Sequence, residues 1–126
     1  MKTNPVGWFE IYVQDMARAQ AFYESVLDTK LDALGDPNDS TVEMRAFPMD
    51  MESQGAAGAL TKMHGFPSGG NSTLVYFTCA DCAEEAGRVL AAGGRLQREK
   101  FAIGEYGFIA LAFDTEGNLF GLHSMG

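Results

Sequence analysis

The sequence predicts an α+β fold made of one strand-helix-strand-strand-strand unit used twice. Three observations carry this. Gly7-Trp8-Phe9-Glu10-Ile11-Tyr12-Val13 alternates and is followed by Asp15 and an amphipathic stretch. Thr73-Leu74-Val75-Tyr76-Phe77-Thr78-Cys79 alternates in the same way and is followed by Asp81 and a second such stretch. Each half then continues through short strand-like runs to a glycine-bearing strand, around Gly58 and around Gly121. Internal repetition constrains a fold more than any single segment does.

The elements follow in order. In the first strand, Gly7 to Val13, the apolar Phe9, Ile11 and Val13 share one face and Trp8, Glu10 and Tyr12 the other, because side chains alternate with period two. Asp15 suits a helix N-cap. Ala19, Phe22, Tyr23, Val26 and Leu27 recur at helical spacing, and this stripe is expected to cover the apolar face of the first strand. Leu31 to Leu34 reads as a short strand, and Gly35 to Asp39 as a turn. Val42 to Phe47 alternates, with Val42, Met44 and Ala46 opposing Glu43, Arg45 and Phe47. Ala56 to Lys62 is the fourth strand. Met63 to Asn71 carries Pro67, Gly69 and Gly70 and reads as a linker.

The second half repeats the order. Val75, Phe77 and Cys79 form one face of its first strand, and Leu74, Tyr76 and Thr78 the other. Asp81 and Glu84 stand at capping-box spacing. The helix is expected to reach about Ala92 and stop at Gly93-Gly94. Arg95 to Phe101, Gly107 to Phe113 and Leu119 to His123 supply three strands, the last two joined by a hairpin at Asp114 to Asn118. One domain, 1–126, is therefore expected, with module one at 1–63, a linker at 64–71 and module two at 72–126.

Composition sets limits on function. The 126 residues are 46% hydrophobic, enough for a real core. A net charge of -8 argues against nucleic acid and anionic membrane surfaces, both of which need a basic face. No apolar stretch approaches the ~20 residues of a membrane span. Two cysteines make no disulfide scaffold. These features predict a soluble cytoplasmic protein.

The chain resembles the vicinal oxygen chelate superfamily, which includes glyoxalase I, extradiol dioxygenases and bleomycin-resistance proteins. The resemblance rests on Trp8 to Asp15 and Ala19-Gln20-Ala21-Phe22-Tyr23 in the first half. In the second it rests on Val75-Tyr76-Phe77, Asp81, Gly93-Gly94 and Asp114 to Leu122. It implies paired βαβββ modules forming an open half-barrel sheet around a cleft, and a homodimer. Metal-using members draw His, Gln or Glu ligands from the first, fourth, fifth and eighth strands. Here those positions map to Trp8, to Gly58 or Ala59, to Leu74 and to Gly121, none of which can ligate. No metal and no cofactor are therefore expected.

The candidate site is read on that cleft. Glu10 and His123 each lie two residues beyond a lost ligand position. They could act as a general acid/base pair with Glu10 tuning His123, form a structural hydrogen bond, or serve as two ligands of a displaced metal site. Arg45 suits bidentate binding of a carboxylate or phosphate, or pairing with Glu43. Trp8, Tyr12, Phe47 and Tyr76 offer apolar walls with polar tips, or plain core packing. Cys79-Ala80-Asp81-Cys82 sits at a strand-to-helix junction like a redox motif, but Cys79 falls on the apolar face. His64 is expected in an exposed loop. The seven methionines suit an adaptable surface or gap filling. The resulting expectation is a protein that binds a small organic molecule without metal. The rival is a glyoxalase-like lyase or isomerase working through Glu10 and His123, with or without a recruited divalent ion.

Overall fold

The computed structural model describes residues 4–69, 73–115 and 117–126. The end of the expected linker, Gly70-Asn71, and Glu116 of the expected hairpin lie outside the described residues. Two compact units form. One runs from Trp8 to Thr73; the other runs from Leu74 to Gly126 and includes the residues before Trp8. Within the latter, the Pro5 carbonyl accepts from the Thr78 N–H at 2.9 Å.

The first unit holds β1 (Val6–Tyr12) apart from its first two residues, α1 (Met16–Leu27), β2 (Asp32–Asp36), β3 (Asp39–Ala46) and β4 (Ala57–Lys62). Its strands run in the order β2-β3-β4-β1, with β1 parallel to β4 and the rest antiparallel. The second holds β5 (Thr73–Thr78), α2 (Cys82–Arg88), β6 (Arg95–Ala102), β7 (Phe108–Phe113) and β8 (Leu119–Ser124), in the order β5-β8-β7-β6. This is the predicted α+β class, with the βαβββ unit used twice.

Asp15 caps α1 as expected, its side chain accepting from the Arg18 N–H at 3.0 Å. One stripe of α1 packs on the sheet: Met16, Ala19 and Tyr23 join Val13, Leu31, Leu60, Ile11 and Phe47. Full burial of a side chain such as Leu60 stabilises by about 1.5–3 kcal/mol. The expected stripe was too wide. Phe22, Val26 and Leu27 are all more than half exposed, because the packed stripe turns them away from the sheet.

In the second unit Cys82, Ala86, Ala110 and Leu122 form the corresponding core, with Phe77, Cys79, Leu96, Phe108 and Phe120 packed around it. The α2 helix ends at Arg88, short of the expected Ala92. Beyond it the Val89 and Gly93 N–H groups reach carbonyls only three residues back, a tightened turn that Gly93 closes with a φ of 103°. The turn between β2 and β3 is also shorter than expected, since Asp36 already pairs with Asp39.

Candidate functional site

Strand register decides which side chains share the face that no helix covers. In the first unit Glu10 lies opposite Ala59, and Ala59 opposite Ala46; Tyr12 lies opposite Thr61, and Thr61 opposite Met44. Paired residues point the same way. The helix-free face therefore carries Trp8, Glu10, Tyr12, Thr61 and a small apolar cluster of Val42, Met44 and Ala59.

Glu10 sits at the centre of this face. It is only 8% exposed. Its carboxylate accepts from the Tyr12 hydroxyl at 2.7 Å and from the Trp8 indole N–H at 3.2 Å. Strand alternation makes this possible, since residues 8, 10 and 12 all project to one side. A buried carboxylate is costly unless donors satisfy it, and these two aromatic donors do so. Thr61, 2% exposed, stands beside Tyr12, and its hydroxyl has no hydrogen-bond partner among the described residues.

Two expected site residues lie elsewhere. Arg45 is opposite Leu60, and Leu60 is opposite Ile11, so Arg45 is on the helix side of the sheet. It donates to the Met44 carbonyl at 2.9 Å. Phe47 also packs on the helix side, 5.7 Å from the Phe9 ring and 5.8 Å from the Tyr23 ring. The reason is parity: it is Val42, Met44 and Ala46 that face Glu10, so their alternates cannot.

The second unit is built the same way. Tyr76 lies opposite Gly121, and Thr78 opposite His123. These residues share the face away from α2, as the alternation predicts. The Tyr76 ring lies directly over Gly121, where a Cβ would come within 2.2 Å of it. His123 Nε2 donates to the Tyr106 carbonyl at 2.6 Å, which fixes the proton on that nitrogen, because a carbonyl can only accept. The structure thus groups Trp8, Glu10 and Tyr12 in one unit, and Tyr76 with Gly121 in the other, where His123 is tied to the Tyr106 carbonyl.

Cys79 carries no sign of redox chemistry. Burial pushes its thiol up to about 11, and the neighbouring Glu85 carboxylate acts in the same direction. The reactive thiolate is disfavoured, the opposite of what a redox motif requires. Cys82 is fully buried in the core.

A sequence model of the Glyoxalase/Bleomycin resistance protein/Dioxygenase superfamily matches residues 6–122. The chain belongs to this superfamily. Solved structures extend the likeness to the fold of nearly the whole chain. Methylmalonyl-CoA epimerase from Streptomyces coelicolor, solved with 2-nitronate-propionyl-CoA, is 16% identical over 99% of both chains, with a TM-score of 0.69. The epimerase from Mycobacterium tuberculosis is 15% identical over 98% of this chain and 89% of its own, with a TM-score of 0.68. A hypothetical protein from Bacillus halodurans C-125 is 14% identical over 99% and 96%, with a TM-score of 0.70. No curated protein matches the chain in sequence.

Superfamily membership sharpens the question of a metal. Register selects Ala59, not Gly58, as the fourth-strand residue on the Glu10 face, since Gly58 lies opposite Phe9 on the helix side. Ala59 and Gly121 are therefore counterparts, lying opposite Glu10 and Tyr76 respectively. The side chains of Trp8, Ala59, Leu74 and Gly121, where the resemblance leads one to expect donors, offer none to a metal. Among the described residues no three His, Cys, Asp or Glu side chains converge on a point. No described helix is long and apolar enough to cross a membrane. Reading the sequence missed Thr61: alternation puts it on the face of Ala59, and only the register shows that this is the Glu10 face.

Proposed function

We propose that this superfamily member binds a small organic cation, without a metal, on the helix-free face of its first unit, and that Trp8, Glu10 and Tyr12 hold the ligand. The observation that carries the reading is the buried Glu10 carboxylate between an indole and a phenol. Aromatic faces beside a fixed negative charge attract cations. Arg45, which would have suited an anion, belongs to the other side of the sheet. The net charge of -8 adds long-range attraction for a cation.

Trp8 is the only tryptophan, so its fluorescence reports on this face alone. Titration with choline is expected to change that fluorescence at a concentration about tenfold lower than titration with 3,3-dimethyl-1-butanol, its uncharged isostere, as a cation–π contribution of ~1.4 kcal/mol implies. The response should survive exhaustive chelation. Equal affinity for the two compounds, or loss of the response to a chelator, would sink the proposal.

The same reading includes a homodimer. Its support is the exposed apolar flank of α1, formed by Phe22, Val26 and Leu27, and two-fold dimers are the commonest assembly. Light scattering at micromolar concentration should give twice the chain mass, falling towards the chain mass when Phe22 and Val26 are both replaced by serine. A parent protein with the mass of a single chain would rule this out.

A further inference from the structure

The segment after β4 folds back over the Glu10 face. Met63 packs with Val42, Met44 and Ala59. The Phe66 ring stacks on the Tyr12 ring, with centroids 4.9 Å apart and planes at 29°. Two side-chain hydrogen bonds hold the segment in place: Gln14 Nε2 donates to the Phe66 carbonyl at 3.1 Å, and Ser68 Oγ donates to the Tyr12 carbonyl at 2.8 Å. Gly65 and Gly69 bracket the aromatic residue, with φ of 87° and 80° and open space around each. Such backbones turn freely where other residues would strain. Phe66 also lines an open hollow of about 500 Å³, shared with Gln14, Thr41, Glu43, Lys62 and His64. Beside Tyr12, on the same face, is the buried Thr61 hydroxyl, without a partner among the described residues. Buried polar groups in folded proteins are rarely left so, and each asks for a missing partner.

We infer that Phe66 is a resident occupant of a planar-ring subsite on Tyr12, and that a ligand bearing a flat ring with an adjacent hydrogen-bonding group displaces it and pairs with the Thr61 hydroxyl. This deepens the proposed function, since it rests on the helix-free face being the ligand face. Phe66 swings towards the hollow about Gly65 and Gly69. The ligand's ring takes over the stacking on Tyr12. Its polar group supplies the bond that Thr61 lacks. Selectivity then comes from Tyr12 for flatness and from Thr61 for polarity. The stacked Phe66 lowers apparent affinity by competing for the same place.

The test uses benzamide as the probe and follows the backbone amides of Tyr12 and Thr61 by NMR in the full chain. Removing an internal competitor raises apparent affinity by the reciprocal of the fraction of time the site stood free. Phe66→Ala is expected to bind benzamide about tenfold more tightly than the parent, and Ser68→Ala, which only loosens the segment, about threefold. Cyclohexanecarboxamide, which has the same polar group on a puckered ring, should gain nothing. Adding Thr61→Val to Phe66→Ala should cancel most of the benzamide gain. If Phe66→Ala fails to fold, Ser68→Ala decides alone. No gain in the folded variants, or an equal gain for the puckered ring, overturns the inference. Choline acting on Trp8 tests the broader reading through a different probe and a different residue, so the two can fail separately.

Discussion

Replacing Gly121 with alanine is expected to lower the melting temperature by roughly 10 °C. The added Cβ would come within 2.2 Å of the Tyr76 ring, and both residues are buried. Relief requires either the ring or the strand to move, and overpacking of this kind costs about 1–3 kcal/mol, at the upper end when a rigid ring is the neighbour. In a domain of this length about 2–3 kcal/mol corresponds to that shift in melting. In a Tyr76→Ala background the same alanine at position 121 should cost little, because the clash goes with the ring. Thermal denaturation of the four proteins of this cycle measures the coupling. Equal costs in the two backgrounds would mean that Tyr76 does not own the space above Gly121.

The second large effect is expected at Glu10, where two substitutions should move stability in different directions. Glu10→Ala removes the acceptor of the Tyr12 hydroxyl and the Trp8 indole. Loss of a buried partner costs about 1–3 kcal/mol, so the alanine variant should melt several degrees lower. Glu10→Gln keeps an acceptor oxygen and removes the charge. Burying a charge is itself costly, so the glutamine variant should melt at or above the parent temperature. Choline binding should fall about tenfold or more in both variants, because each removes the negative charge that attracts the quaternary ammonium. A carboxylate retained at a cost in stability and needed for binding is the signature of a ligand residue. If Glu10→Gln melts far below the parent while binding is unchanged, Glu10 serves the fold and the ligand reading is lost.

Period-two alternation made most of the fold legible. Trp8, Glu10 and Tyr12 were separable from Phe9, Ile11 and Val13 because one face of β1 is apolar throughout, and the same holds for β5. The α1 helix was legible as an element, since Asp15 caps it. Its buried flank was not. Five apolar residues span more of the helix than one sheet can cover, and periodicity cannot say which of them meets it. Strand β3 misled for a related reason. Its apolar face, Val42, Met44 and Ala46, reads as the side a helix covers, so only pairing to β4 shows that these residues accompany Glu10 while Arg45 and Phe47 do not. The choice between Gly58 and Ala59 also needed that register. The stacking of Phe66 on Tyr12 had no signal at all, because nothing local in Gly65-Phe66-Pro67 tells where a loop ring comes to rest.

The Tyr76 ring above Gly121 has a consequence for mutational history. On the mapping that the resemblance implies, position 121 answers to a donor position of metal-using relatives, and a single change there to glutamate or histidine meets the same ring as alanine does. A passable route must first shrink residue 76, which by itself leaves a void, and only then install the donor. Each step alone is a loss, and only the pair can be a gain. A lineage that has reached this arrangement is therefore held in it by the order in which substitutions would have to occur. Drift at other positions does not loosen that hold while the ring remains.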